Sequence, residues 1–294
     1  MKPSAHSIGV AALLVASGAA TWLGSPEREL SMHAIFEIWA DVLRDTDSLG
    51  LQLTRARPGE EMELGKTIAA AYIRRRVTVP MWEAYVGDVG ASLAAHVRRP
   101  EIRYTFHVID APAVNAFALP GGQVFLFKGL LDIITSEAEL AAVLAHEIAH
   151  VDNRHAIERF QYQIRMKKIG LGELSELGTL AQTVIQAGYS QYREQEADAW
   201  GLYALMAASY HPQAAVDLFR RLLAVDRPAE VAARGIVEYL RSHPPTAERM
   251  RRLEYRIARE RGKQPGRTFY RGAENFRKRV ARSRQEFDGE KMRW

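Results

Sequence analysis

Residues 136–158 read SEAELAAVLAHEIAHVDNRHAIE, and the reading of this stretch decides the fold. Leu140, Val143, Leu144, Ile148 and Val151 recur at helical spacing. Ser136 can cap the helix, and Glu139 three residues later completes a capping box. One turn separates His146 from His150, so the two imidazoles share a face, with Glu147 beside them. Imidazoles on that spacing can grip one zinc ion while the adjacent carboxylate acts as general base.

A catalytic zinc keeps three protein ligands and one open position. The extended form HExxHxxGxxH does not supply the third: Asn153 stands at the glycine position and Ala156 at the histidine position. His155 is nine residues from His146. At about 100° per residue it turns to roughly the opposite face of a continuous helix, so it reads as structural or exposed. The alternative source is a second helix. Downstream, Tyr192-Arg193-Glu194-Gln195-Glu196-Ala197-Asp198 places Glu194 and Asp198 on one face, with Glu196 about 200° away. Glu194 is the candidate third ligand. Asp198 is placed to accept the free ring N–H of a ligand histidine. A third block, Ser242-His243-Pro244-Pro245 through Arg249, offers His243 and Arg249 as electrophilic groups for an oxyanion.

Arg103 to Asp110 alternates, with Tyr104, Phe106 and Val108 on one face and Thr105, His107 and Ile109 on the other, which predicts a strand. His107, among apolar neighbours, reads as structural. Asn115 to Leu119 and Gln123 to Phe127 read as two more strands, joined at Pro120-Gly121-Gly122. Helices are predicted over 27–53, 60–75, 81–97, 197–208, 212–225 and 246–261. The expected fold class is α+β, mostly α, with a small sheet.

Five blocks now stand in order: Asn115-Ala116-Phe117-Ala118-Leu119-Pro120-Gly121-Gly122; Gly129-Leu130-Leu131; the Glu139 to His155 run; Glu194 to Asp198; and His243-Pro244-Pro245 to Arg249. Together, over Met81 to Tyr255, they resemble the gluzincin family of zinc peptidases that contains the CAAX prenyl protease, HtpX, the mitochondrial Oma-type protease and the periplasmic BepA-type protease. The resemblance implies a zincin-like domain whose edge strand borders the active site, and one zinc ion held by His146, His150 and Glu194. It also implies Glu147 as the base, Asp198 orienting a ligand histidine and Arg249 near the tetrahedral intermediate. His243 is implied at the metal or at the oxyanion; in some members this histidine is thought to hold the site closed. Substrate would lie against Asn115, Ala116, Phe117 and Ala118 as an added strand, which favours unfolded or misfolded chains. One departure is that Gln191 follows Ser190 where the family usually has arginine, and arginine appears only at Arg193; this bears on the ion pairing around Glu194.

The chain has 294 residues, and no cysteine, which excludes disulfides, thiolate ligands and a cysteine nucleophile. Lys2 and the apolar run from Ile8 to Leu23 read as a secretory signal or an uncleaved anchor over 1–24, with the domain at 25–260 facing the periplasm. Glu173, Glu176 and Gln186 interrupt the only rival apolar segment, 169–188, which reads as a connection between the two ligand helices and a candidate lid. Residues 261–294 carry 11 Lys or Arg against 4 Asp or Glu, a net of +7 in a chain of +5. They read as a separate basic tail, solvated or touching a membrane surface rather than nucleic acid. The expected activity is zinc-dependent hydrolysis of peptide bonds in envelope quality control. The alternative is chaperone-like capture of unfolded outer-membrane proteins.

Overall fold

The computed structural model describes residues 56–74, 76–168, 188–223, 243 and 247–294. The expected leader at 1–24, the helix over 27–53 and most of the 169–188 segment lie outside the described residues. The elements run α1 (Pro58–Ile73), α2 (Pro80–Ala94), β1 (Thr105–Ile109), β2 (Ala116–Leu119), a 3₁₀ turn (Pro120–Gly122) and β3 (Gln123–Phe127). They continue with α3 (Lys128–Leu131), α4 (Glu137–Asp152), α5 (His155–Lys168), α6 (Gln191–Ala207), α7 (Ala214–Leu223) and α8 (Ala247–Lys263). The last elements are β4 (Thr268–Tyr270), α9 (Ala273–Lys278) and β5 (Lys291–Arg293). The fold is α+β and mostly helical, as the sequence predicts.

Strand order is β1-β3-β2, with β1 parallel and β2 antiparallel to β3. The alternation read from Tyr104 to Ile109 divides two cores. Val108 packs with α2 and α4 in the larger cluster, and Ile109 joins Tyr72, Phe117, Phe125 and Phe160 in the smaller. His107 is structural: it stacks on Phe125 at 4.5 Å and meets Gln123 at 2.9 Å. The β2–β3 turn needs glycine at Gly121, where φ is +68°, and the buried Glu61 of α1 accepts the Gly121 N–H at 3.2 Å.

β2 lies at the sheet edge. Phe127 N–H donates to Asn115 C=O at 2.9 Å, so the main-chain groups of Asn115, Phe117 and Leu119 face β3. By the two-residue period, those of Ala116 and Ala118 face outward.

Helix α4 does not run on through His155 as the 136–158 reading supposes. It ends at Asp152, and Arg154 adopts φ +67° before α5 starts. Its N-terminus is also more elaborate than a capping box. Ser136 Oγ accepts the Glu139 N–H, but the Glu139 carboxylate takes the N–H of Thr135 at 2.7 Å rather than that of Ser136.

Residues 261–294 are not a separate tail. Gly272 and Arg271 carbonyls accept the Glu137 and Ala138 N–H groups, each at 2.9 Å, which satisfies two first-turn donors of α4. The buried Glu137 carboxylate accepts from Tyr210 Oη (2.7 Å), Tyr85 Oη (2.9 Å) and Arg282 N–H (2.9 Å). Phe269, Tyr270 and Ala281 are buried. Part of the positive charge is paired at the surface: Arg277 and Lys278 pair with Glu274, Arg284 with Asp88 and Lys291 with Glu286. Composition alone suggested a tail because it registers the arginines and not these buried residues.

Two outcomes test this docking. At Gly272 φ is +71°, and an added Cβ would lie 2.8 Å from Glu137 Cβ, so Gly272→Ala lowers the unfolding free energy by about 1–3 kcal/mol. Burial raises the Glu137 pKa above 4.5, against the pull of its hydrogen bonds. The native state therefore keeps that proton to higher pH than the unfolded chain, and stability falls as pH rises through the native pKa. In urea titrations, the stability of wild type relative to Glu137→Gln declines as pH rises from 4.5.

Candidate active site

Helices α4 and α6 cross where Gly201 meets Ala145 and His146; a Cβ there would come within 3.2 Å of both backbones. Glu194, Asp198 and Gly201 recur at helical spacing on one face of α6, so this crossing aims both carboxylates at the His146 face of α4. Ser190 caps α6 by accepting the Arg193 N–H, and Arg193 pairs with Glu158 of α5 at 2.9 Å. That is how this chain meets the Ser190-Gln191 departure: its arginine tethers the start of α6 to α5.

His146 Nε2 lies 3.2 Å from His150 Nε2 and 3.4 Å from Glu194 Oε2. His150 Nε2 lies 3.3 Å from Glu194 Oε1. His243 closes the group, its Nδ1 being 3.1 Å from Glu194 Oε1 and 3.3 Å from His146 Nε2. One ligand atom from each of these four buried residues lies within 4.8 Å of all the others. Corners of a tetrahedron about 2.0–2.1 Å from its centre, the zinc–ligand range, are about 3.3–3.4 Å apart. Three imidazoles and a carboxylate at these spacings fit a zinc-sized ion.

The electrostatics follow from burial and pairing. Burial lowers the His150 pKa well below its ordinary value, which favours the neutral ring a metal requires. Burial acts the same way on His146, but Asp198 and Glu194 outweigh it and raise its pKa to about 10. Burial alone would raise the Glu194 pKa, yet Arg249 and His243 hold it well below the usual carboxylate range. Asp198 Oδ1 sits 3.2 Å from His146 Nδ1. Arg249 forks onto Asp198 (2.8 and 2.7 Å) and reaches Glu194 Oε2 at 2.6 Å. The sequence reading of Arg249 as an oxyanion group is revised: it is engaged with two carboxylates.

Glu147 is fully buried beside the cluster, without a hydrogen-bonded partner among the described residues, and burial raises its pKa. His243 Nε2 is 3.5 Å from it, and the Ala118 main-chain N–H makes a looser contact. Ala116 and Ala118 face α4 from β2. Phe117 points the other way and stacks on Phe125 at 4.9 Å, so only its main chain is available. Asn115 is buried, with both amide atoms unpartnered among the described residues.

Sequence reasoning missed three neighbours. Tyr189 stacks on His150 at 3.8 Å; its place just before the Ser190 cap was the available signal. His155 is not on the far side of a helix: the turn at Arg154 returns its Nδ1 to 3.1 Å from His150 Nδ1. Glu196 does diverge from Glu194, and it meets His155 Nε2 at 3.3 Å.

The sequence profile of peptidase family M48 matches residues 80–257. The chain belongs to that family. Membership places it among metallopeptidases, hydrolases of the peptide bond. It is similar to the mitochondrial metalloendopeptidase OMA1 of Schizosaccharomyces pombe, at 34% identity over 58% of this chain and 51% of the relative. It is also similar to the beta-barrel assembly-enhancing protease of Escherichia coli (strain K12), at 30% identity over 56% of this chain and 38% of the relative. The matched region thus spans about half or less of these relatives. No helix among the described residues is long and apolar enough to cross a membrane.

Removing the cation exposes its role. Arg249→Leu leaves the buried Glu194 and Asp198 with only the histidines for compensation and destabilises the metal-free protein by about 3–5 kcal/mol, measured by urea unfolding.

Proposed function

We propose that this chain is a zinc-dependent metalloendopeptidase that cuts unfolded or misfolded proteins of the cell envelope. The observation that carries the reading is the convergence of His146, His150 and Glu194 beside the buried Glu147. His146, His150 and Glu194 would hold one zinc per chain. When bound, zinc supplies a Lewis acid for the scissile carbonyl and brings the pKa of water towards about 7. Glu147 takes the water proton and returns it to the leaving amine, and its raised pKa suits the second task. Asp198 fixes the His146 ring through Nδ1. Arg249 positions Glu194 and Asp198.

The outward main-chain groups of Ala116 and Ala118 give a bound chain an edge to pair with, and the unpartnered Asn115 amide adds a polar contact at its end. Such pairing reads backbone more than side chain, which suits extended substrates. The name of the Escherichia coli relative supports β-barrel proteins awaiting assembly as substrates, and the apolar run near the N-terminus supports export to the periplasm.

His243 stands where a fourth ligand would, so this arrangement is a closed one, and turnover requires the imidazole to leave. That closed state also favours a second reading, in which the edge captures unfolded chains without cutting them.

Glu147→Gln lowers casein cleavage by about 10²–10⁴-fold with zinc content unchanged, whereas His146→Ala and Glu194→Ala lose zinc. Cleavage that survives Glu147→Gln overturns the mechanism. Aggregation suppression that persists in this variant supports the capture role. His243→Ala raises the basal cleavage rate; a lower rate would assign His243 to catalysis instead of closure.

A further inference from the structure

We infer that His155 is a positioning residue for His150, and that the Glu196 carboxylate, acting through His155, sets the tautomer in which His150 can ligate. The inference rests on the reading that His146, His150 and Glu194 hold a metal ion.

The local chain is built to bring His155 back to the cluster. Asp152, the last residue of α4, accepts the N–H groups of Arg98 and Arg99. Arg154 then takes φ +67°, in the left-handed region that a long side chain enters only when its surroundings hold it there. Those surroundings are present, since Arg154 Nη2 donates to Ala56 C=O at 3.2 Å and Nη1 lies 3.9 Å from the buried Glu61. His155 is 3% exposed, and its ring meets the His150 ring at 65° with centroids 5.2 Å apart. This is an approach through ring nitrogens and not a stack.

The proton order follows from the acceptors. A carboxylate only accepts, so in the contact with Glu196 the hydrogen sits on His155 Nε2. Neutral His155 then presents a lone pair at Nδ1. The 3.1 Å Nδ1–Nδ1 contact needs one hydrogen, and with His155 neutral it comes from His150. His150 with a hydrogen on Nδ1 has its lone pair on Nε2, the atom that faces His146 and Glu194. The Nδ1 of His146 is held in a single step, by Asp198 Oδ1 at 3.2 Å. A ligand histidine whose second nitrogen is so held is more basic and fixed in orientation, and losing such a partner typically costs about 10–100-fold in metal affinity.

The test measures Zn²⁺ affinity of the full chain by competition with a chromophoric chelator, with circular dichroism and thermal unfolding recorded on the metal-free proteins. His155→Phe keeps the ring volume and removes the acceptor, and it weakens Zn²⁺ binding by about 10–100-fold. His155→Gln restores an oxygen that can accept from His150 Nδ1 and recovers most of the affinity. In metal-free wild type, ¹⁵N shifts of the His150 ring report hydrogen on Nδ1. Equal affinity in His155→Phe and wild type overturns the positioning role. A glutamine variant as weak as the phenylalanine variant assigns His155 to packing and also overturns it. If wild type itself binds no Zn²⁺, the metal reading falls and takes this inference with it, a result distinct from the other two.

Discussion

The close crossing of α4 and α6 is the constraint on which the rest of the site depends. At Gly201 the second helix comes so near the backbone of Ala145 and His146 that an added Cβ would lie 3.2 Å from it. The helical period then does the positioning: one turn from Gly201 lies Asp198 against His146, and another turn on lies Glu194 between the two imidazoles. A methyl at 201 would sit 3.2 Å from that backbone, so the two helices would have to give by a few tenths of an ångström at the point that sets the ligand spacing. The sheet is fixed to the same axis from the other side, because Ala116 and Ala118 pack towards α4.

Such a crossing buries carboxylates, and buried carboxylates need compensation. Arg249 provides it from a helix whose other arginines, such as Arg251 and Arg252, pair at the surface with Glu248. The planar guanidinium reaches both acids at once, which a lysine ammonium could not do with the same geometry. Charge balance and ligand geometry are thus one arrangement: the cation that neutralises Glu194 and Asp198 also fixes where they point.

Much of this was legible in the residues. The four-residue spacing of His146 and His150, and of Glu194 and Asp198, fixes faces without any tertiary knowledge, and the alternation at 104–109 correctly divides two cores. His155 was not legible, because reasoning by angle assumes a continuous helix. The break falls at an arginine in the left-handed region, a conformation that sequence associates with glycine or asparagine. Glu196 shows a related limit: its departure from the Glu194 face was clear, but only the path of α5 reveals what it meets. The last 34 residues were misread because net charge describes a surface. Phe269, Tyr270 and Ala281, a minority among arginines, decide that the segment folds onto the domain.

The main-chain bonds from Arg271 and Gly272 to the first turn of α4, and the Arg282 bond to Glu137, have a consequence for the order of assembly. Arg282 lies 145 positions after Glu137. During synthesis the HExxH helix leaves the ribosome long before the residues that finish its first turn, and until they arrive Glu137 has only its tyrosine donors and two amides lack acceptors. The first turn of that helix therefore reaches its final form only once the C-terminal residues have docked on it.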